Sequence, residues 1–391
     1  MNSTITDRLQ AWAYLSRVVE GPSRNLQKLF SDGHDVEAIA HGIKKRESWI
    51  GELLRETASR HDWDVAAQDL ETVMALGGRL ITPEDDDWPA EELDRAFGFA
   101  ATGMSDHVRT YQDDAVPPHA LWVRGGNLRT LTSQAVAVVG TRAISHYGTE
   151  VTRMVVDNLV AHQWTIISGG ALGVDTIAHT AALKAGGSTV VVAACGLDRS
   201  YPAHNRGLFE EIIARGAGAI ISEYPPGTTP QRHRFLTRNR LAAALSTGTV
   251  VTEAAWRSGA LNTLSWCSGL GRVAMAVPGP VTTAGSLGCH ERIRNGQAEM
   301  VCSGDEVRSL LGAIGELDIQ EQYELQFGAT PVQGLSRNEL RVFDSLGGYS
   351  QDAGQVAAET GLPLALVVHL LVDLHKRGLI TRQGSMWCRV R

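Results

Sequence analysis

An arginine-rich segment with a single aromatic residue is the part of this 391-residue chain best suited to hold an anion. A short apolar run ends at Ser222, a loop rich in Pro and Gly follows, and the arginines then surround Phe235. These arginines are Arg232, Arg234, Arg238 and Arg240, with Asn239 between the last two. A basic loop that carries an aromatic side chain at a strand-to-helix turn suits a phosphate backbone with an unstacked base. A solvated arginine face on a surface helix is the alternative interpretation.

Two glycine-containing loops could contribute further anion-binding groups. In the first, Gly140-Thr141-Arg142, the N–H groups of the following helix and the Arg142 guanidinium could hold a phosphate. In the second, Ser168-Gly169-Gly170, the backbone N–H groups could form a cradle for an anion. A tight turn that needs these glycines only for positive φ is the alternative for the second loop. The first loop is not GxGxxG, so a dinucleotide site is not predicted.

The sequence shows no recognisable catalytic set. Asp175 and His179 lie four residues apart on a predicted helix and could form an acid–base pair, although a hydrogen bond on a helix surface is the commoner arrangement. The motifs GxxxxGK[ST], HExxH and GxSxG are absent from the chain. The five cysteines are scattered without a CxxC pair, which indicates neither a disulfide framework nor a zinc site. We therefore predict a binding protein rather than an enzyme, with no cofactor and no metal.

The elements that must position these loops alternate between strand and helix from residue 134 onward. The predicted strands are Ala135–Val139, Thr165–Ile167, Thr189–Ala194, Ala217–Ile221, Thr249–Thr252 and Val273–Val277. Continuous apolar strands separated by helices predict a parallel sheet covered on both faces, that is, an α/β, Rossmann-like, doubly wound domain. Ligands of such a sheet bind beyond the carboxyl ends of its strands, so we expect the loops to meet there.

The rest of the chain divides into smaller parts. We predict a helical N-terminal domain with an irregular linker at 1–130, the Rossmann-like domain at 131–312, a linker at 313–335 and a winged-helix domain at 336–391. The turn at 18–23 is compatible with a helix-hairpin-helix module or with a plain helical bundle, and 98–120 reads as irregular. The second helix of the predicted winged helix is mostly apolar, which favours a protein contact or a dimer role over major-groove reading.

The charge distribution leaves room for a nucleic-acid partner despite the net charge of −7. Residues 1–130 hold 14 Lys and Arg against 22 Asp and Glu, a net charge of −8, which leaves +1 for residues 131–391. The acidity therefore belongs to the front of the chain, and a basic patch in the middle is compatible with the total. No apolar run is long enough to span a bilayer and no N-terminal signal is recognisable, so we expect a soluble, cytoplasmic protein without a membrane partner.

Six segments between about residues 136 and 300 resemble the bacterial DNA-processing protein A family (DprA, also called Smf), and they occur in the family's order. They are VAVVGTRAISHYG, SGGALGVDTIAH, VVVAACGLDRSYPAHN, ISEYPPGTTPQRHRFLTRNRLAAALS, VVTEAAWRSGAL and AVPGPVTTAGSLGCHERIRNG. The helical front domain and the winged-helix tail also look like the family's longer members. Thr141 stands where serine is more usual in the family.

The resemblance implies a protein that binds single-stranded DNA without a cofactor, dimerises through its Rossmann-like domain and helps a RecA-type recombinase to load during natural transformation. By position, it implies phosphate contacts for Arg142 and Arg232, a base contact for Phe235, and a place in the same pocket for Arg238–Arg240. The full set of predicted DNA-binding residues is Gly140, Thr141, Arg142, Ser168, Gly169, Gly170, Arg232, Arg234, Phe235, Arg238, Asn239 and Arg240.

Two other functions remain open at this point. The glycine-rich α/β architecture also resembles enzymes of the nucleotide-phosphoribohydrolase type, which cleave a glycosidic bond; the equivalent region here has Glu253 but lacks their Gly-Gly-x-Gly-Thr run. A transcription regulator that reads duplex DNA with the winged helix, while the α/β domain senses a nucleotide, is the second alternative.

Overall fold

The computed structural model describes residues 7–312, 331–332, 334–347 and 350–390. The chain divides into two compact units, Met1–Leu317 and Asp318–Arg391. Most of the linker predicted at 313–335 lies outside the described residues.

The described chain begins with helices. They are α1 (Asp7–Val18), α2 (Arg24–Ser31), α3 (Val36–Lys45), α4 (Leu53–Glu56) and α5 (Ala66–Ala75), with a 3₁₀ turn at Ser48–Ile50. Ser23 and Asp35 start α2 and α3, because their side chains accept hydrogen bonds from backbone N–H groups of the first turn. The apolar faces pack into one core, to which Tyr14, Leu26 and Ile39 contribute fully buried side chains. These helices confirm the helical prediction for residues 7–75.

A nine-stranded sheet forms the centre of the first unit in the described residues. Its strands are β1 (Gly78–Ile81), β2 (Leu121–Gly125), β3 (Ala135–Val139), β4 (Thr165–Ser168), β5 (Thr189–Val192), β6 (Gly218–Ser222), β7 (Gly248–Val251), β8 (Val273–Ala276) and β9 (Glu299–Met300). Their spatial order is β1-β2-β6-β5-β4-β3-β7-β8-β9. Strands β3 to β9 pair in parallel, and all six predicted strands are among them. The Rossmann-like α/β prediction is therefore confirmed.

Three strands of this sheet were not predicted from the sequence. Strands β1 and β2 pair antiparallel with each other, and β2 also pairs antiparallel with β6. They extend the sheet across the boundary predicted at residue 130, so that boundary lies between two strands of one sheet. Strand β9 has only two residues, which is too short for a recognisable pattern.

Helices cover the sheet and connect its strands. They are α6 (Ala90–Ala101), α7 (Asp106–Thr110), α8 (Leu128–Thr132), α9 (His146–Ala161), α10 (Val174–Lys184), α11 (Arg206–Ala214), α12 (Arg232–Ala244), α13 (Ala260–Gly269), α14 (Leu287–Arg294) and α15 (Gly304–Leu311), with 3₁₀ turns at Ala203–Asn205 and Ala284–Ser286. The prediction of an irregular segment at 98–120 is partly wrong. The end of α6 and the whole of α7 lie there, because α6 buries Phe97 and Ala100 against the core.

The strands are apolar throughout because both faces of the sheet are buried. Along β3, Ala135 and Val139 belong to the core that includes α12 and α13. The alternate residues Val136 and Val138 belong to the core that includes α9 and α10. This two-residue alternation places a helical layer on each face.

The strand order reverses beside β3. This strand pairs with β4 on one side and with β7 on the other, so the connections after β3 and β7 leave the sheet beside each other. The carboxyl ends of two such strands form a crevice that is the usual ligand position of an open α/β sheet.

The second unit is smaller. It contains α16 (Arg337–Ser345), β10 (Gln351–Asp352), α17 (Ala353–Thr360), α18 (Leu364–Lys376), β11 (Ile380–Gln383) and β12 (Met386–Arg389). Capping boxes start α16 and α17, at Ser336 with Glu339 and at Asp352 with Gln355. The strands form a three-stranded antiparallel sheet in the order β10-β12-β11. The winged-helix assignment of this unit stays a prediction.

No single helix of the described residues is both long and apolar enough to cross a membrane. The bent pair α17 and α18 reaches the required length and composition only when the two are taken together.

Candidate functional site

A cleft of about 920 Å³ opens at the carboxyl ends of β3 and β7, where the strand order reverses. Three segments form its walls: the loop after β3, the loop after β7, and the first turns of α12. The lining residues include Gly140, Thr141, Arg142, Asp175, Tyr201, Arg232, Phe235, Arg238, Asn239, Arg257 and Asn262, together with Tyr111. The cleft lies where the sequence predicted the loops to meet.

Three exposed arginines give the cleft its charge. Arg142 follows β3, Arg232 begins α12, and Arg257 follows β7. Within the described residues, none of the three takes part in an ion pair. Asp175 is the one acid among the residues that line the cleft, and its side chain is buried. The cleft therefore presents uncompensated positive charge to solvent.

Aromatic rings lie between these charges. The Phe235 and Tyr201 ring centroids are 5.5 Å apart with an interplanar angle of 49°. The Arg142 guanidinium carbon lies 5.5 Å from the Phe235 ring centroid, within cation–π range. Tyr201 is 45% exposed, so part of its ring is accessible to a ligand. The site thus combines flat apolar surfaces with cations.

Arg238 lies at the base of the cleft and is buried. A Cβ atom on Gly169 would come within 1.7 Å of its guanidinium, so this glycine is needed to make room for the arginine. The Arg238 Nε atom has no hydrogen-bond partner among the described residues. Burial lowers the pKa of Arg238, and neighbouring Asp175 opposes that shift. Arg238 is therefore a buried cation that faces a ligand-sized space.

The second glycine loop does not offer the predicted cradle. Ser168, Gly169 and Gly170 are all buried. The Ser168 hydroxyl donates to the carbonyl of Val138, and the backbone N–H of Gly169 donates to Asp175. Gly170 has φ of +69° and packs against the ring of Phe209. These contacts do not favour an anion cradle, and DNA contact by the three residues stays a prediction. Gly170 has the positive φ of the tight-turn alternative, whereas Gly169 makes room for Arg238.

The first glycine loop is open to the cleft but is also packed from behind. A Cβ on Gly140 would come within 2.4 Å of the Val174 side chain. The Thr141 N–H donates to the carbonyl of Glu253 at 2.7 Å, so it is already used. Gly140 and Thr141 line the cleft, and Arg142 is the charged member of the loop that lines it.

Two of the predicted arginines do not reach the cleft. Arg240 is fully buried and forms a two-pronged ion pair with Glu223, with nitrogen–oxygen distances of 2.6 and 2.7 Å. Arg234 is nearly buried and pairs with Glu20 at 2.5 Å. This arrangement does not favour the predicted DNA contacts of Arg234 and Arg240, because both guanidinium groups are paired with carboxylates from other segments of the chain.

Asn239 connects two walls of the cleft. Its side-chain amide donates to the Asn262 side chain at 3.2 Å, which ties α12 to the start of α13. Both helices begin at the cleft. Gln231 forms no side-chain N-cap hydrogen bond with α12, whereas the first N–H of α13, at Ala260, donates to the Ser258 hydroxyl at 3.3 Å. The first turn of α12 and the positive ends of the two helix dipoles therefore favour an anion in this space.

A protein carboxylate occupies the position where Rossmann folds bind a pyrophosphate. Glu253 is buried and its Oε2 accepts a hydrogen bond of 2.9 Å from the N–H of Ser145, at the start of α9. A Cβ on Gly148 in the first turn of α9 would come within 2.0 Å of the same oxygen. Glu253 thus stabilises the start of α9, and it is not among the residues that line the cleft.

Asp175 and His179 do not form an acid–base pair. Asp175 accepts hydrogen bonds from backbone N–H groups of its own loop, and burial raises its pKa. His179 is buried, its Nδ1 contacts the Thr189 hydroxyl at 2.7 Å, and burial lowers its pKa to about 3. Both alternatives considered from the sequence were therefore wrong, because the helix buries both side chains. No cluster of three His, Cys, Asp or Glu side chains suited to a metal occurs in the described residues.

Arg257, Tyr201 and Tyr111 also line the cleft, although they are not among the site residues predicted from the sequence. The position of Arg257 four residues after Glu253, in the loop that follows β7, was the available signal, because loops after parallel strands meet at the ligand crevice.

The chain is similar to several known proteins. The model of the DNA recombination-mediator protein A family matches residues 79–312, which is more than half of the chain. A relative from Mycobacterium tuberculosis that carries the name DNA processing protein DprA is 42% identical over 382 residues, which are 97% of this chain and 93% of that protein. The DNA processing protein DprA of Streptococcus pneumoniae is 42% identical over 233 residues, which are 56% of this chain and 81% of that protein.

A solved structure also resembles the fold. The X-ray structure of DNA processing protein A from Streptococcus pneumoniae has a TM-score of 0.61 against this chain at 28% sequence identity. The superposition covers 80% of this chain and 100% of that one.

Proposed function

This chain belongs to the DNA recombination-mediator protein A family, and we propose that it binds single-stranded DNA in the cleft between β3 and β7. The observation that carries the proposal is that three exposed arginines, which form no ion pair within the described residues, line the same cleft as Phe235. The family membership and the names of the relatives support DNA as the ligand.

The arginines would hold the phosphates. Arg142, Arg232 and Arg257 come from three different walls, so a chain of phosphates can pass from one to the next. Each guanidinium can form two parallel hydrogen bonds with phosphate oxygens. The start of α12, which has no side-chain N-cap hydrogen bond, adds backbone donors along the same path. Arg238 at the base of the cleft supplies further positive potential.

The aromatic rings would hold a base. Phe235 is partly exposed beside Tyr201, and each base stacked on an aromatic ring contributes about 1–3 kcal/mol. A duplex offers no free base face, because its bases are already stacked and paired. The protein should therefore prefer single-stranded to double-stranded DNA because of the accessible base faces of the single strand, without base-specific hydrogen bonds. We propose that binding requires no cofactor and involves no catalysis.

In the cell, we propose that the protein protects incoming single strands and loads a RecA-type recombinase on them during natural transformation or recombination. Family membership supports this role. We further propose that it acts in the cytoplasm as a homodimer formed through the Rossmann-like domain, so that two clefts bind one strand with increased effective concentration. Sedimentation analysis would test the dimer. The recombinase's DNA-dependent ATPase activity on strands coated with a single-strand-binding protein would test loading.

Fluorescence anisotropy with a labelled oligo-dT strand and a matched duplex, at two salt concentrations, tests the binding proposal. We expect salt-dependent binding of the single strand only. The double variant Arg142→Ala/Arg232→Ala should lose about 100-fold in affinity, because each charged hydrogen-bonding partner contributes about 1.5 kcal/mol or more. The control variant Arg55→Ala/Arg95→Ala removes two exposed arginines outside the cleft and should bind like the wild type.

Two results would contradict the proposal. One is equal affinity for single strand and duplex, and the other is unchanged affinity in the cleft variant. Release of free base from a nucleoside monophosphate would instead support the phosphoribohydrolase alternative.

A further inference from the structure

The first turn of α12 is electrostatically unfavourable by its own sequence. It begins Arg232-His233-Arg234 and contains no acidic residue. Gln231 stands at the N-cap position without a side-chain hydrogen bond to the turn. Cations at the positive end of a helix dipole repel it, and uncapped N–H groups weaken a first turn. A group from elsewhere in the chain must therefore stabilise this turn in the absence of a ligand.

Glu20, in the turn between α1 and α2, lies at this position. Its Oε1 accepts hydrogen bonds from Arg234 Nε at 2.6 Å and from Arg234 Nη2 at 2.5 Å. Its Oε2 accepts a third from Arg60 Nη1 at 3.1 Å. The two partners place the carboxylate between α12 and the helical front of the chain. A residue 214 positions earlier thus supplies the negative charge that α12 lacks.

Further contacts attach the loop before α12 to the same region. Arg234 donates to the carbonyl of Thr229, and its guanidinium carbon lies 5.5 Å from the Tyr224 ring centroid. Arg17 donates to the carbonyl of Pro226 at 2.7 Å and also pairs with Asp69. The loop and the first turn of α12 are therefore held from the side opposite the cleft.

The ion pair that holds the Arg234 side chain in place also sets the orientation of the two α12 residues that face the cleft. Arg232 and Phe235 are three positions apart, so they lie on one face of the helix, whereas Arg234 projects from another. A rotation or fraying of the turn that releases Arg234 from Glu20 must displace Arg232 and Phe235 together. The orientation of the cleft residues thus depends on the ion pair behind them.

We propose that Glu20 is a positioning residue: through Arg234 it orders the first turn of α12, and so presents Arg232 and Phe235 to the DNA strand. The inference rests on the proposed function and gives the acidic front region a role in that same site. Direct electrostatics predicts the reverse effect, because removing a negative charge near a phosphate-binding cleft should strengthen binding. The two explanations therefore differ in sign.

The test uses the full-length protein with Glu20→Gln, and with Asp87→Asn as a matched control. Asp87 is also a half-buried acid paired with an arginine, Arg79, but it lies at the β1 edge of the sheet. Hydrogen exchange without DNA should be at least ten-fold faster at the amides of residues 235–238 in Glu20→Gln. Oligo-dT affinity should fall at least five-fold with an unchanged salt dependence. The control should match the wild type in both measurements.

Arg234→Met provides a second variant that removes the pair while leaving Glu20 with Arg60. It should reproduce both effects, and the double variant should show no additional loss, because the two side chains act through one contact. Affinity equal to or above that of the wild type would overturn the inference. So would reduced affinity without faster exchange, or faster exchange without reduced affinity.

Failure of the proposed function gives a different result. A wild-type protein that does not bind the single strand contradicts the proposed function alone. The exchange measurement uses no DNA and still decides whether Glu20 orders the turn.

Discussion

Helix α12 carries arginines on two faces that have opposite surroundings. On the cleft face, Arg232 is exposed beside Phe235, and within the described residues it forms no ion pair. On the opposite side, Arg234 is paired with Glu20, and Arg240 is fully buried against Glu223. The same residue type thus stabilises the fold on one face and stays available for a ligand on the other.

The comparison shows that the number of arginines in a segment does not tell how many phosphate groups the segment can bind. A cation that already has a buried carboxylate partner gains little from a phosphate and costs much to expose. Only the arginines whose guanidinium groups lack a protein partner contribute a site. The predictions below test this division between the two faces, from the largest expected effect to the smallest.

The largest effect is expected at the buried face. Arg240→Ala should lower the free energy of unfolding by about 3–5 kcal/mol, because Glu223 is left as an unpaired buried charge. Urea unfolding followed by circular dichroism measures this. Arg257→Ala, on the cleft side, should stay within about 0.5 kcal/mol of the wild type. Equal stability of Arg240→Ala and the wild type would contradict the division.

Acid should weaken the fold through histidines that lie near buried arginines. Burial and the charge of Arg240 lower the pKa of His119 to about 4, and burial with Arg238 lowers that of His179 to about 3. Both histidines stay neutral in the folded protein and gain a proton on unfolding below pH 6.5, so stability is lost as the pH falls from 6.5 towards 4.

For these two histidines together, the loss should be about 2.5 kcal/mol between pH 7 and pH 5.5. Urea unfolding at the two pH values checks it. His179→Asn should remove about half of the dependence. A free energy of unfolding that does not change over this range would show that the two histidines are not held neutral.

At the cleft face, Phe235→Ala should weaken oligo-dT binding by about 1–3 kcal/mol through loss of stacking. The slope of log affinity against log salt should not change, because no phosphate contact is lost. Phe235→Tyr keeps the ring and should bind like the wild type. A change of slope in Phe235→Ala, or full affinity, would show that the ring does not hold a base.

The smallest effect is expected for a single phosphate contact. Arg257→Ala should reduce affinity by about 1.5 kcal/mol and the salt slope by about 0.7, the value for one neutralised phosphate of a single strand. Arg55→Ala, an exposed arginine outside the cleft, serves as the control. An unchanged slope would remove Arg257 from the strand's path.

The fold and the place of the site follow from the sequence to a large extent. The β-branched runs correctly predicted six parallel strands, because a sheet buried on both faces requires continuous apolar segments. Strands β1 and β2 were missed, since an antiparallel strand added at the edge has no helix-alternating pattern around it. The crevice beside β3 is then the place where Arg142, Arg232 and Phe235 are expected to come together, and all three line the cleft found there.

The sequence could not assign individual arginines to a face. The partners of Arg234 and Arg240 are carboxylates at Glu20 and Glu223, and only the tertiary structure brings Glu20 to α12. The sequence likewise predicts an anion cradle at Gly169, because only the tertiary structure shows that the Arg238 side chain fills the space beside this glycine. Spacing identifies a basic segment, but burial decides which of its charges remain available.

A crystal structure of the protein with a short oligo-dT strand would test the central claim most directly. The account predicts phosphate oxygens within hydrogen-bonding distance of the Arg142 and Arg232 guanidinium groups, a base against the Phe235 ring, and intact ion pairs at Arg234 and Arg240. A strand bound only to the second unit, or a strand whose phosphates replace Glu20 or Glu223, would contradict it.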